Sequence, residues 1–180
     1  MSRNDLTIKN YMNSLLEDTD IEQLIIFIDT IPVDKIRRHL YILSEIFPNK
    51  IVISQKEFEL IQYILTHNKF LEVESISDFI RAINIISFDE LQQKQITDLI
   101  FSKIHLLSRY CHFELNMLIT NIVNSEDFLN RIIMIVKDSL SIHLKTFLLT
   151  FISHESEFLQ DCSQNKIDDL KKLLNGSEVQ

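Results

Sequence analysis

Residues 54–67 read SQKEFELIQYILTH. Ser54 followed three residues later by Glu57 forms a capping box, in which each side chain satisfies a free backbone N–H of the first helical turn. Behind it, apolar residues such as Leu60 and Ile64 return at helical rather than alternating spacing. The stretch therefore predicts a helix running from the cap to about His67.

The same signature extends in both directions. Toward the N-terminus, Asp20 with Gln23 suggests another capping box, before a helix presenting Leu24, Ile25, Ile28 and Ile31. Pro32 ends that helix or opens the next, which runs to about Phe47 and stops at Pro48. An opening helix over 5–17 carries Leu6, Met12, Leu15 and Leu16. Toward the C-terminus, Ser75 with Asp78 opens a helix to about Ile86, and Ser87 with Glu90 opens a longer one to about Tyr110. Further helices are expected over His112–Val123, from Ser125 to about Lys137, and from Ser141 to about Ser153. A segment from Ser156 breaks near Asn165. The last piece carries Ile167, Leu170, Leu173 and Leu174 and stops at Asn175 and Gly176. Residues 50–53 could extend as a strand, but a lone strand has no pairing partner, so they read as loop. The expected fold is all-α, a single domain over 1–180 of about 9–11 helices, arranged as stacked helical hairpins or three-helix repeats in a short solenoid-like bundle.

Composition agrees with this. The chain holds one glycine and two prolines in 180 residues. Tight hairpins and phosphate-cradling loops need glycine for positive φ or close backbone approach, so β-rich folds and Gly-rich nucleotide loops are disfavoured. The longest apolar runs, Leu24–Ile28 and Ile132–Val136, are far short of a membrane span. The N-terminal residues lack the apolar core of a signal peptide. Two cysteines, Cys111 and Cys162, make a poor disulfide framework and suggest reduced thiols, with the cytoplasm as the expected location.

Internal similarity is visible at a spacing of 55 residues. Ile25, Ile28, Ile31, Asp34 and Ile36 match Ile80, Ile83, Ile86, Asp89 and Leu91, and Phe58-Glu59-Leu60 matches Phe113-Glu114-Leu115. A third copy fits at a spacing of 49, placing Asp138 with Asp34 and Asp89. These matches suggest three-helix units over 20–68, 75–123 and 125–174, preceded by a cap helix over 1–18. Amphipathic helices also align in some register by chance, and aspartates gather at helix starts in any helical protein.

The net charge of −8 disfavours direct nucleic-acid binding, which needs a basic face. Acidic residues collect where the first helix of each unit opens: Glu17, Asp18, Asp20 and Glu22; Glu72, Glu74 and Asp78; Glu126 and Asp127. If the units stack in parallel, the clusters line one anionic edge, to which Tyr11 adds an aromatic anchor. The plainer reading is that they complement helix dipoles. A second acidic group, Glu155, Glu157, Asp161, Asp168 and Asp169, reads as a solvated face. Six scattered histidines show no metal-ligand spacing, and adjacent Cys111 and His112 do not face each other on a helix. No metal, cofactor or catalytic residue is expected.

These features point to a non-catalytic protein–protein interaction domain with a basic protein partner, no nucleic acid and no membrane. One concrete form is an inhibitor or immunity protein that neutralises a basic toxin or nuclease through its acidic surface. The alternatives are a helical-repeat adaptor or regulatory subunit, and a small-ligand-binding helical domain.

Overall fold

The computed structural model describes residues 3–17, 21–45 and 51–176. Among the described residues it is all-α, with thirteen helices and no strand. They are α1 (Arg3–Glu17), α2 (Ile21–Asp29), α3 (Val33–Ser44), α4 (Gln55–Thr66), α5 (Asn68–Leu71), α6 (Ile76–Ile83), α7 (Glu90–Ser102), α8 (Ile104–Tyr110), α9 (His112–Ile122), α10 (Ser125–Asp138), α11 (Ile142–His154), α12 (Ser156–Leu159) and α13 (Gln164–Gly176). The count exceeds the expected 9–11 for two reasons. The four-residue α5 is a separate turn, and the helix expected to run to Tyr110 breaks at Lys103. The break lets α7 pack on α4 while α8 turns to pack on α11.

The Ser54 capping box forms as read: Glu57 N donates to the serine hydroxyl, and Ser54 N donates to the glutamate at 2.8 Å. Ser141 also caps its helix, accepting from Leu144 N at 3.2 Å. Two caps shift. Asp89, not Ser87, caps α7, in a capping box with Gln92. The later start leaves Phe88 outside the helix, free to bury against Phe58 with ring centroids 6.1 Å apart. Likewise Asn124, not Ser125, caps α10. Ser75 makes no side-chain capping bond, because its backbone is already helical (φ −67, ψ −4), whereas a capping residue needs an extended one. The expected Asp20 box lies outside the described residues. Residues 51–53 are non-helical, as read, and Ile51 accepts a backbone hydrogen bond from Ser87 N at 2.8 Å.

The helices form two rows. α2, α4, α7, α10 and α13 follow one another in the first row, and α3, α6, α9 and α11 in the second, with α8 packing against α11. The core lies between the rows and is continuous from Met12 to Leu174. Its positions recur at a regular interval. Leu24, Leu60, Ile96 and Ile132 are each 36 residues after the last, and all are fully buried in the first row. Ile28, Ile64, Ile100 and Val136 follow the same step, as do Leu43, Phe79, Leu115 and Phe151 in the second row.

The 55-residue matches do not coincide with this packing. Phe58 is 1% exposed whereas its match Phe113 is 68% exposed. Asp34 lies in the first turn of α3, Asp89 caps α7, and Asp138 is the last residue of α10. The apolar helix around Ile132–Val136 is central, yet not buried all round: Ile132 and Val136 face the core while Met134 is exposed.

Candidate functional site

The outer surface of the first row is a polar ladder. Asp29 on α2 accepts from Tyr63 Oη at 2.9 Å and from Lys69 Nζ at 2.6 Å. Those bonds, led by the one from Lys69, hold the Asp29 carboxyl below its ordinary range, and burial with the same contact pushes the Tyr63 phenol up to about 12. Gln62 on α4 donates to Gln95 on α7. Arg131 on α10 bridges Asp98 on α7 at 2.7 Å and Asp127 at 2.8 Å. Lys166 on α13 donates to Glu126 and to Asn130 on α10. The ladder ties each helix to the next and commits its charges to partners within the chain.

This bears on the acidic residues read from sequence. Asp18, Asp20 and the side chain of Glu17 lie outside the described residues. Glu22 is exposed in the first turn of α2. Glu126 and Asp127 do open α10, but Lys166 and Arg131 hold them. Glu74 and Asp78 lie at the start of α6 in the other row, where Arg37 on α3 meets Glu74 at 3.3 Å and Arg81 meets Asp78 at 3.6 Å. Glu72 is exposed just after α5. The clusters are thus divided between the two rows, because α6 follows α3 and α9 rather than α2 and α10. Tyr11 is half exposed and packs edge-on against Phe27, with ring centroids 5.1 Å apart.

The second row combines exposed apolar side chains with clefts. Tyr41 on α3, Ile85 just after α6, and Phe113 and Met117 on α9 are large apolar side chains exposed to solvent. Clefts run between its helices. Between α3 and α6, one of about 420 Å³ is lined by Asp34, Arg37, Arg38, Tyr41, Ser75 and Asp78. Beside it another, of about 330 Å³, includes Tyr41, Arg81 and Ile85. Between α9 and α11 lies another, of about 520 Å³, walled by Phe113, Phe147 and Phe151 and lined also by His112 and His154. Asn116 and Glu155 supply its polar end, Asn116 Nδ2 donating to Glu155 Oε1 at 2.6 Å. Three buried side-chain oxygens of this row have no hydrogen-bond partner among the described residues: Ser75 Oγ, Asn84 Oδ1 and Asn116 Oδ1.

Sequence reasoning singled out Asp78 as an acidic-edge residue and Glu155 as part of a solvated face, but did not mark Tyr41, Ile85, Phe113, Met117 or Asn116 as site residues. The signal for Phe113 and Met117 was present, since they stand four apart on α9 and off the stripe formed by Leu115, Leu118 and Ile119. The pairing of Asn116 with Glu155, 39 residues away, had no local signal.

The remaining chemistry is limited. Cys111 is buried and its Sγ donates to Leu107 O. Burial, reinforced by Glu114, raises its pKa far above the ordinary thiol value, so it stays protonated. No group of three histidine, cysteine or acidic side chains that could hold a metal ion exists among the described residues, and no helix there is long and apolar enough to cross a membrane. No family model, curated protein or solved structure matches the chain.

Proposed function

We propose that the chain is a non-catalytic protein-binding module whose partner lies across the outer surface of the second row. The observation that carries this reading is the set of exposed apolar side chains on successive helices of one row, Tyr41, Ile85, Phe113 and Met117, beside clefts with unpaired polar atoms. Exposed aromatic and Met side chains rimmed by arginines such as Arg37 and Arg81 are the composition of protein interfaces. The first row also exposes Ile26, Leu91 and Met134, but several of its charges, among them Asp29, Asp98, Asp127 and Glu126, are engaged within the chain. The net charge of −8 favours a basic partner and speeds its approach. A cytoplasmic location belongs to the same reading.

The inhibitor reading, in which a basic toxin or nuclease is neutralised, is a narrower form of this proposal and draws on charge. Its acidic contacts would come from Glu22, Glu72, Glu74 and Asp78, with the acids around residue 18.

Two variants separate the surfaces. One carries Tyr41→Ser, Ile85→Ser and Phe113→Ser; the other carries Glu22→Gln, Glu72→Gln and Glu74→Gln. A host protein retained by the wild type and the acid variant, and lost by the apolar-face variant, is the expected outcome. Loss by the acid variant alone would transfer the site to the acidic residues. If the retained protein is an enzyme, its activity with and without this chain tests inhibition.

A further inference from the structure

We propose that the α9–α11 cleft is a socket for one cationic side chain, lysine or arginine, of a protein partner. The inference rests on the second row being the docking surface. It follows from what the polar end of the cleft offers and lacks. Asn116 spends its amide donor on Glu155 Oε1, at 2.6 Å. The carboxylate accepts and cannot donate, so the amide nitrogen must face it and the amide orientation is fixed. That leaves Asn116 Oδ1 as the buried oxygen without a partner. A buried acceptor left unpaired is costly, and a positive charge seated near it offsets part of that cost.

Beside that oxygen, Glu155 adds a negative charge with acceptor capacity beyond the single bond from Asn116. The polar end at Asn116 and Glu155 therefore offers acceptors and one negative charge, while the rings of His112 and His154 and the hydroxyl of Thr150 also line the cleft. A lysine or arginine head is all donor and carries the opposite charge. An incoming carboxylate or phosphate would instead meet the Glu155 charge. The rest of the cleft suits the stem of such a side chain. Phe147 and Phe151 form the buried wall and Phe113 the exposed lip. Alkyl stems pack along such rings, and ring faces attract cations. The negative net charge of the chain acts in the same direction.

The test is an NMR titration of the full chain with n-pentylammonium and with 1-pentanol, a neutral probe of similar length. The ring signals of Phe147 and Phe151 and the side-chain amide of Asn116 report occupancy. The ammonium is expected to bind saturably at the cleft, roughly tenfold tighter than the alcohol. Glu155→Gln should abolish that preference, and it keeps a carbonyl oxygen for Asn116, so the fold is retained. Glu157→Gln, an exposed acid on α12 away from the cleft, should leave the preference unchanged. Phe113→Ser should weaken both probes alike. Equal affinity for the two probes, a preference that survives Glu155→Gln, ammonium shifts spread over the acidic surface, or no saturable binding by either probe would each overturn the proposal. The probes need no other part of the second row. A socket that fails here leaves the docking reading to the variant experiment above, and a socket that fills while that experiment fails removes only the docking reading.

Discussion

Arg81 Nη2 donates a 2.6 Å hydrogen bond to Glu114 Oε1, joining the second-row helices α6 and α9 through an acidic side chain that is only 10% exposed. The guanidinium itself is largely in solvent, and Asn84 Nδ2 adds a bond to the backbone carbonyl of Glu114 at 3.0 Å. Removing the arginine leaves the buried acceptor without its charged donor. Arg81→Leu is expected to cost about 1–2 kcal/mol, the lower part of the range for stranding a buried group, because the exposed arginine is screened by water. The midpoint of urea unfolding measures it. The double variant Arg81→Leu/Glu114→Leu should recover part of the loss, since no buried charge is then left unpaired.

The 36-residue core interval separates a buried position from an exposed one. Ile96→Ala removes a fully buried side chain and is expected to cost about 2–5 kcal/mol. Met134→Ala, on the exposed side of α10, should change stability by no more than about 0.5 kcal/mol. Equal effects in urea unfolding would show that the two-row core is wrongly placed.

The start of α7 is decided by one cap. Asp89→Ala is expected to lose about 0.5–2 kcal/mol, because the Gln92 N–H loses its acceptor at 2.8 Å. Ser87→Ala, at the position that local sequence favours, should be close to neutral. Thermal unfolding of the pair decides between the two registers.

His105 gives stability a dependence on pH. Its ring lies between two hydroxyls, Nδ1 3.2 Å from Ser141 Oγ and Nε2 3.2 Å from Ser139 Oγ, with Asp138 nearby. Burial lowers its pKa below the ordinary 6.5, and Asp138 offsets this in part. The unfolded chain therefore takes up the proton first as pH falls. The contribution of His105 is fully present above about 6.5 and is lost as pH drops through its lowered folded value. Urea unfolding between pH 8 and 5 should show this fall, and His105→Gln should flatten it.

The two thiols should differ in reactivity. Cys162 is partly exposed, whereas Cys111 is buried and held protonated. A thiol reagent at neutral pH is expected to modify Cys162 in the folded protein and Cys111 only on unfolding. Prompt modification of both would contradict the packing of α8 against α9.

The all-α class was legible because each helix carries its own evidence. The Ser54–Glu57 box and the Leu60 and Ile64 stripe act within one turn of each other, as do Ser141 and its helix. The cap at Asp89 was missed because Ser87 with Glu90 and Asp89 with Gln92 are almost equivalent locally. Burial of Phe88 against Phe58, thirty residues away, selects the second. The 55-residue match holds in burial at Leu60 and Leu115 but not at Phe58 and Phe113, for a related reason. Phe-Glu-Leu is the same string at 58–60 and 113–115, but which of its side chains is buried depends on the helix opposite.

By itself the sequence determined the helices, the absence of glycine-dependent loops and the negative charge, since these follow from local propensity, capping and composition. Only the tertiary structure decided the two-row order, the division of the acidic residues between rows, and the meeting of Asn116 with Glu155 across 39 residues. The physical reason is that a helix is specified by contacts within a turn. Which of its faces remains open to a partner depends on every helix packed against the others.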